Sequence, residues 1–257
     1  MKTHLLGGLA ATAMFCVPGG AAFADSSPVL GGLAIFGNGT IRTWATFDEA
    51  GAPLVVGITF TDTGLSGLPA HQPSIPMDAY PYKLSMPKGT EATGIDHVEV
   101  DWNPVGHIPA GVYDVPHFDF HFHFTSEKEL SKITIDPQGI KMCQNKPAPA
   151  NFPQNYIYAP GGEVPGMGAH WVDVTSPELH GSPFTHTFIF GSYNGKVNFI
   201  EPMIAKSFLE SKANAEAPIK QPSMYPKGCK YFPTKYTISY NADRHEHTIA
   251  LEGFVKH

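Results

Sequence analysis

Residues 117–124 read His117-Phe118-Asp119-Phe120-His121-Phe122-His123-Phe124, an unbroken two-residue alternation. That period belongs to a β-strand, where successive side chains leave on opposite faces. Four phenylalanines therefore line one face, and His117, Asp119, His121 and His123 line the other. The phenylalanine face is a core face. The opposite face is either a solvated surface or the wall of a polar cavity, and its imidazoles and carboxylate are of the types that ligate metals or move protons. Strand rise limits how they act. Positions i and i+2 lie roughly 6.5–7 Å apart, so neighbouring imidazoles can converge on one ion, whereas His117 and His123, roughly 20 Å apart, cannot. The simplest pair is His121 with His123, and further ligands must come from elsewhere in the chain.

The rest of the chain fits the same class. Its 24 prolines and 26 glycines fall as punctuation between short aromatic and β-branched runs, with no internal repeat. Such spacing predicts a single all-β domain over residues 25–257, a β-sandwich or barrel with long Pro/Gly-rich loops and one short helix. Residues 1–24 read as a secretory signal peptide: Lys2, an apolar stretch from about Leu5 to Val17, then Ala22-Phe23-Ala24 as the cleavage motif. The apolar stretch is shorter than the ~20 residues of a membrane span. Its removal takes one of the 17 basic residues and none of the 23 acidic ones, leaving a net charge of −7. That balance argues against nucleic acid and anionic membranes as partners. The expected location is periplasmic or extracellular. In an oxidising compartment the two remaining cysteines, Cys143 and Cys229, are expected to form one disulfide; free thiols or metal ligands are the alternative.

Strands are predicted over Thr40–Phe47 and Leu54–Thr61, over Tyr80–Met86, and over Ile95–Trp102. The last alternates His97, Glu99 and Asp101 against Val98, Val100 and Trp102 and reads as half-buried. Gly64–Met77 and Pro147–Gly168 read as loops, and Ser126–Lys132 as one or two helical turns. Asn194-Gly195, between two aromatic runs, predicts a hairpin with a type I′ turn. Carried on without irregularity, the turn sets Phe190 against Phe199, Phe188 against Glu201 and His186 against Met203. His186 and Glu201 are then diagonal neighbours on one face. Pro202 is expected to end the ladder, Ile204–Ala213 to be helical, and Tyr236–Tyr240 with Thr248–Phe254 to form a last hairpin.

The candidate metal ligands are thus His117, His121, His123, His170 and His186. His170 is placed on a glycine-hinged loop, Gly166-Met167-Gly168-Ala169-His170, where glycine allows a tight turn and close approach. Glu201 and Asp119 are the candidate catalytic carboxylates, because an unpaired carboxylate among aromatic residues costs several kcal/mol to bury and needs a partner. Three imidazoles on zinc leave a fourth position for water. His97 and His107 are secondary candidates. His245 and His247 read as a solvated hairpin end, and His71, His180 and His257 as surface.

Phe120-His121-Phe122-His123-Phe124 resembles the zinc strand of α-carbonic anhydrases, two histidines separated by one aromatic residue. The likeness covers those residues only, and that family's Thr-Thr-Pro-Pro-Cys segment is absent. Cupins share His-x-His without the downstream spacing. A broader resemblance is to an uncharacterised family of exported bacterial β-proteins. It is carried by Pro116-His117-Phe118-Asp119-Phe120-His121-Phe122, by Pro165-Gly166-Met167-Gly168-Ala169-His170-Trp171-Val172-Asp173 and by Phe199-Ile200-Glu201-Pro202-Met203. It implies a fold and a site, not a reaction.

Three functions are compatible with this pattern. The first is an exported zinc-dependent hydrolase or hydratase acting on a small-molecule substrate through metal-bound water. The second is a non-catalytic periplasmic copper or zinc binder, copper being kept in view by Met167 and Met203, whose thioethers suit Cu(I). The third is a structural β-protein, assembling as a homo-oligomer, whose histidine row is a polar network.

Overall fold

A computed structural model of the chain describes residues 27–71 and 79–257. The expected signal segment and part of the Gly64–Met77 loop lie outside the described residues. The alternating runs pair into two antiparallel sheets laid face to face, a β-sandwich and not a closed barrel. The first sheet holds β1 (Val29–Phe36), β2 (Gly39–Phe47), β3 (Pro53–Thr61), β11 (Ala215–Pro218), β13 (Lys235–Asn241) and β14 (Glu246–Glu252). Its strand order is β1-β2-β3-β14-β13-β11. The second holds β4 (Tyr80–Ser85), β5 (His97–Asn103), β6 (His117–His123), β7 (Tyr156–Val164), β8 (Gly168–Asp173), β9 (His186–Tyr193) and β10 (Lys196–Ala205). Its order is β4-β5-β6-β10-β9-β8-β7. A small ribbon pairs β12 (Tyr231–Phe232) with β15 (Val255–Lys256). Three short helices complete the chain: α1 (Glu127–Leu130), α2 (Pro137–Gln144) and α3 (Lys206–Glu210).

The core lies between the sheets, and the phenylalanines of β6 face it. Phe118, Phe120 and Phe122 are fully buried. The Phe118 ring lies 5.4 Å from Phe36 of β1, and the Phe120 ring 6.4 Å from Phe60 of β3. The other face of the second sheet is buried as well. Segments 107–113, 126–135 and 157–167 wall a cavity over it, and a second apolar cluster of Tyr113, Phe184, Ile189 and Met203 packs there. For that reason β5, expected to be half-buried, is buried at all seven residues.

Several other expectations are corrected. Asn194 and Gly195 do adopt the positive φ of a type I′ turn, and Lys196 and Val197 pair with Tyr193 and Ser192 as expected. A bulge at Asn198 then shifts the register by one, so Phe199 faces Gly191, Glu201 faces Ile189 and Ile204 faces His186. Because a one-residue slip exchanges faces, Glu201 and His186 leave β9–β10 on opposite sides. Pro202 does not end the ladder: pairing to β6 skips Glu201 and Pro202 and resumes at Met203 in unchanged register. The strand therefore continues to Ala205, and the expected helix shrinks to α3. The Pro147–Gly168 connection contains β7, and α2 starts where Asp136 caps the amides of Gln138 and Gly139 ahead of Pro137 at its first turn.

Cys143 and Cys229 are free. The end of α2 is tied to the β9–β10 turn by Asn194 and Gly195 amides donating to Met142 and Asn145. Cys229 lies instead against the turn before β5, where the Lys230 amide donates to Ala92. Its thiol donates to the Tyr231 carbonyl at 3.0 Å.

Candidate metal centre

Register assembles the polar face row by row. On β5 and β6, His97 stands opposite His123, Glu99 opposite His121, Asp101 opposite Asp119 and Asn103 opposite His117. On the other side of β6, Phe199 and Met203 of β10 stand opposite His123 and Asp119, which brings Glu201 alongside His121. On β8, His170 pairs with Gly191 of β9 and shares this face. So His170 belongs to a strand, not to a loop; the loop is the Gly166–Gly168 turn before it, whose two glycines have positive φ.

Three groups result, each of two imidazoles and one carboxylate with ligating atoms within 4.8 Å of one another: His121, His170 and Glu201; His107, His117 and Asp119; and His97, Glu99 and His123. The first lies on the cavity floor. Nε2 of His121 is 3.3 Å from the Glu201 carboxylate and Nε2 of His170 is 4.0 Å from it. Nδ1 of His170 donates to the Gly162 carbonyl at 2.6 Å, which leaves its Nε2 as the ligating nitrogen. Both ring nitrogens of His121 and one oxygen of Glu201 are buried without a hydrogen-bond partner. Nδ1 of His121 points at Asp101, 3.5 Å away, beyond hydrogen-bond contact.

The charges follow from this crowding. Burial opposes protonation of His121, but Glu201, then Asp101 and Asp119, outweigh it and push its pKa up to about 10. Burial, reinforced by Glu99, holds Asp101 well above the usual carboxylate range. Burial lowers His170 against the pull of Glu201.

The second group is closed on itself. His117 Nδ1 donates to Val115 and His107 Nδ1 to Ile108, so both Nε2 atoms turn toward Asp119, at 3.3 and 3.6 Å. Asn103 donates at 2.7 Å to Oδ2 of Asp119, the oxygen that His107 also faces. Burial would raise Asp119, yet His117 and His107 hold it well below its ordinary range. It reads as an internal ion pair beside the first group.

Phe199 organises the floor. Its ring lies 4.9 Å from His121, 5.5 Å from His123 and 5.1 Å from His170. It occupies the space a Cβ at Gly191 would need, which is why that position is glycine. Gly191→Ala is expected to cost about 1–3 kcal/mol by overpacking. It should also weaken metal binding by displacing this ring against three imidazoles. Urea unfolding and zinc titration of the variant measure the two effects.

His186 is not part of the centre. It lies at the core face, and its Nδ1 shares a 2.7 Å hydrogen bond with Tyr236 of the other sheet. Burial lowers its pKa from 6.5. The unfolded chain therefore takes up this proton first, so the contribution of His186 to stability is full above 6.5 and is lost as pH falls below that value. Urea midpoints measured on acidification should fall less steeply for His186→Asn. His247, expected at a solvated turn, is buried and 3.0 Å from Asp62.

The residues that single-strand reading undervalued are His97, Glu99, Asp101 and His107. For the first three the signal is the alternation of β5, whose polar face is covered only in the assembled fold; His107 lies in the connection that follows β5.

Comparison with known proteins adds one segment. Residues 48–102 match a family model described as TTHB210-like, hypothetical protein TTHB210. The match runs from the end of β2 through Trp102 in β5. It includes His97, Glu99 and Asp101 but none of the three segments that carry the broader resemblance. No curated protein and no solved structure matches the chain. What is established is therefore similarity to this family over residues 48–102.

Proposed function

We propose that this chain is an exported metalloenzyme. It holds one zinc ion at His121, His170 and Glu201 and uses it in hydrolysis or hydration of a small, partly apolar substrate. The supporting observation is the position of that group. Two histidines and a carboxylate form a known catalytic zinc set that leaves a position for water. Here they sit at the base of a cavity of about 580 Å³. Its walls carry Ile108, Leu130, Ile157, Val164, Met167 and Val172. A protein that only hands on an ion has no use for such walls, whereas an organic substrate does.

When bound, zinc would lower the pKa of a water at its open position to ~7. The chain supplies the rest. Gly162 fixes the ring of His170, and Asp101 faces the far nitrogen of His121. Glu201 is thereby assigned as ligand, and Asp119, held ionised by His117 and His107, lines the same cavity as a fixed negative charge.

Elemental analysis of the purified chain, with and without His121→Ala and His170→Ala, is the test, together with chelator-sensitive hydrolysis of small aryl esters. Loss of one zinc per chain in both variants supports the reading. Unchanged metal content in both removes it. Copper in place of zinc keeps the site but replaces water activation with the chemistry of that ion.

A further inference from the structure

In the third group Glu99 is paired with Lys83 and His97 with Asp96, but His123 has no partner. His97 is 3% exposed and His123 0%, and their rings stack at 4.7 Å on facing strands. Nδ1 of His97 contacts the Asp96 carboxylate at 2.9 Å, which turns Nε2 inward. That Nε2 and both ring nitrogens of His123 are buried with no partner. A neutral imidazole holds one donor and one acceptor. His123 thus buries both unsatisfied if nothing occupies the site. Glu99 stands beside them with an oxygen in ligating range, and Lys83, 3.1 Å from its carboxylate, covers it from β4.

We propose that a second divalent metal ion, zinc in the first instance, binds at His97, Glu99 and His123. Three features support it. His97 Nε2 and one nitrogen of His123 each offer a buried lone pair to a Lewis acid. The Asp96–His97 contact is the carboxylate–histidine arrangement that orients metal-bound imidazoles. The three ligating atoms already lie within 4.8 Å of one another. Unlike the His121 group, this one is off the cavity: Glu99 reaches the lining, but His97 and His123 do not. It is a buried site whose ligands tie β5 to β6. His121 and His123 are one strand repeat apart, roughly 6.5–7 Å. Their ligating atoms fall into different groups, so the two ions occupy separate sites.

The experiment is zinc content per chain for the full-length protein, with His97→Gln, His123→Gln, His170→Ala and the His97→Gln/His170→Ala double variant. The expected values are two, one, one, one and none. If His97→Gln and His123→Gln retain the zinc content of the unaltered protein, the second site is wrong. If they lose an ion and His170→Ala does not, the second site stands and the catalytic reading falls. Should the variants fail to fold, crystals of the unaltered protein measured across the zinc absorption edge decide it. An anomalous peak between His97 and His123 supports the site, and a peak without anomalous signal, a buried water, overturns it.

Discussion

Glu201→Gln is expected to abolish zinc binding at the cavity floor. Loss of a residue that merely orients a ligand lowers metal affinity about 10–100-fold. Loss of a ligating carboxylate should exceed that, because two imidazoles alone leave the ion short of donors and of negative charge. The substitution changes one atom and keeps the volume, so the backbone of β10 has no steric reason to move. Any hydrolytic activity should disappear with the metal.

The same substitution separates the zinc site from its plainest rival, a buried His121–Glu201 ion pair with no metal. Removing one partner of a buried pair destabilises by about 3–5 kcal/mol, because the other charge is left uncompensated. In that rival, Glu201→Gln lowers stability and a chelator acts equally on the variant and the unaltered protein. With zinc at the site, the chelator lowers stability more in the unaltered protein than in the variant, which lacks the cavity-floor ion. Urea unfolding with and without chelator therefore reads the difference in four curves.

How much of this was legible in the sequence depends on how local each feature is. The two faces of β6 were legible because perfect alternation needs only one strand to interpret. The Asn194-Gly195 turn was legible because both residues accept positive φ. The bulge at Asn198 was not, since a bulge is a property of a strand pair; its Nδ2 donates to Met167, a contact from another segment. That one residue decided which face Glu201 and His186 take. His170 hid among glycines although Ala169 and Trp171 alternate with His170 and Val172 as a strand does. His97 and Glu99 were visible as a strand face, but that face is covered by the adjoining segment 107–113 and by segment 157–167, far away in sequence. The disulfide expectation failed because compartment chemistry says nothing of where two cysteines lie.

Phe120→Ala should lower stability by about 3–5 kcal/mol, the usual cost of emptying a large aromatic site in a core. That is a large share of a domain stability of roughly 5–15 kcal/mol. Phe120 is fully buried, pairs with Val100 across β5 and stacks at 6.4 Å on Phe60 of the opposite sheet. The urea midpoint should fall with an unchanged slope, the signature of lost stability without a change in exposed surface. Its two sequence neighbours, Asp119 and His121, point to the other side of the same strand. Their spacing is set by the β6 backbone, which is hydrogen-bonded to β5 on one flank and β10 on the other. Zinc content of the folded variant should therefore equal that of the unaltered protein. Glu201→Gln and Phe120→Ala make opposite demands on one strand ladder: the first removes metal through the polar face, the second removes stability through the apolar one. If the folded Phe120→Ala protein also lost its zinc, the centre would depend on core packing and not on strand register, and the row-by-row origin of the site would be wrong.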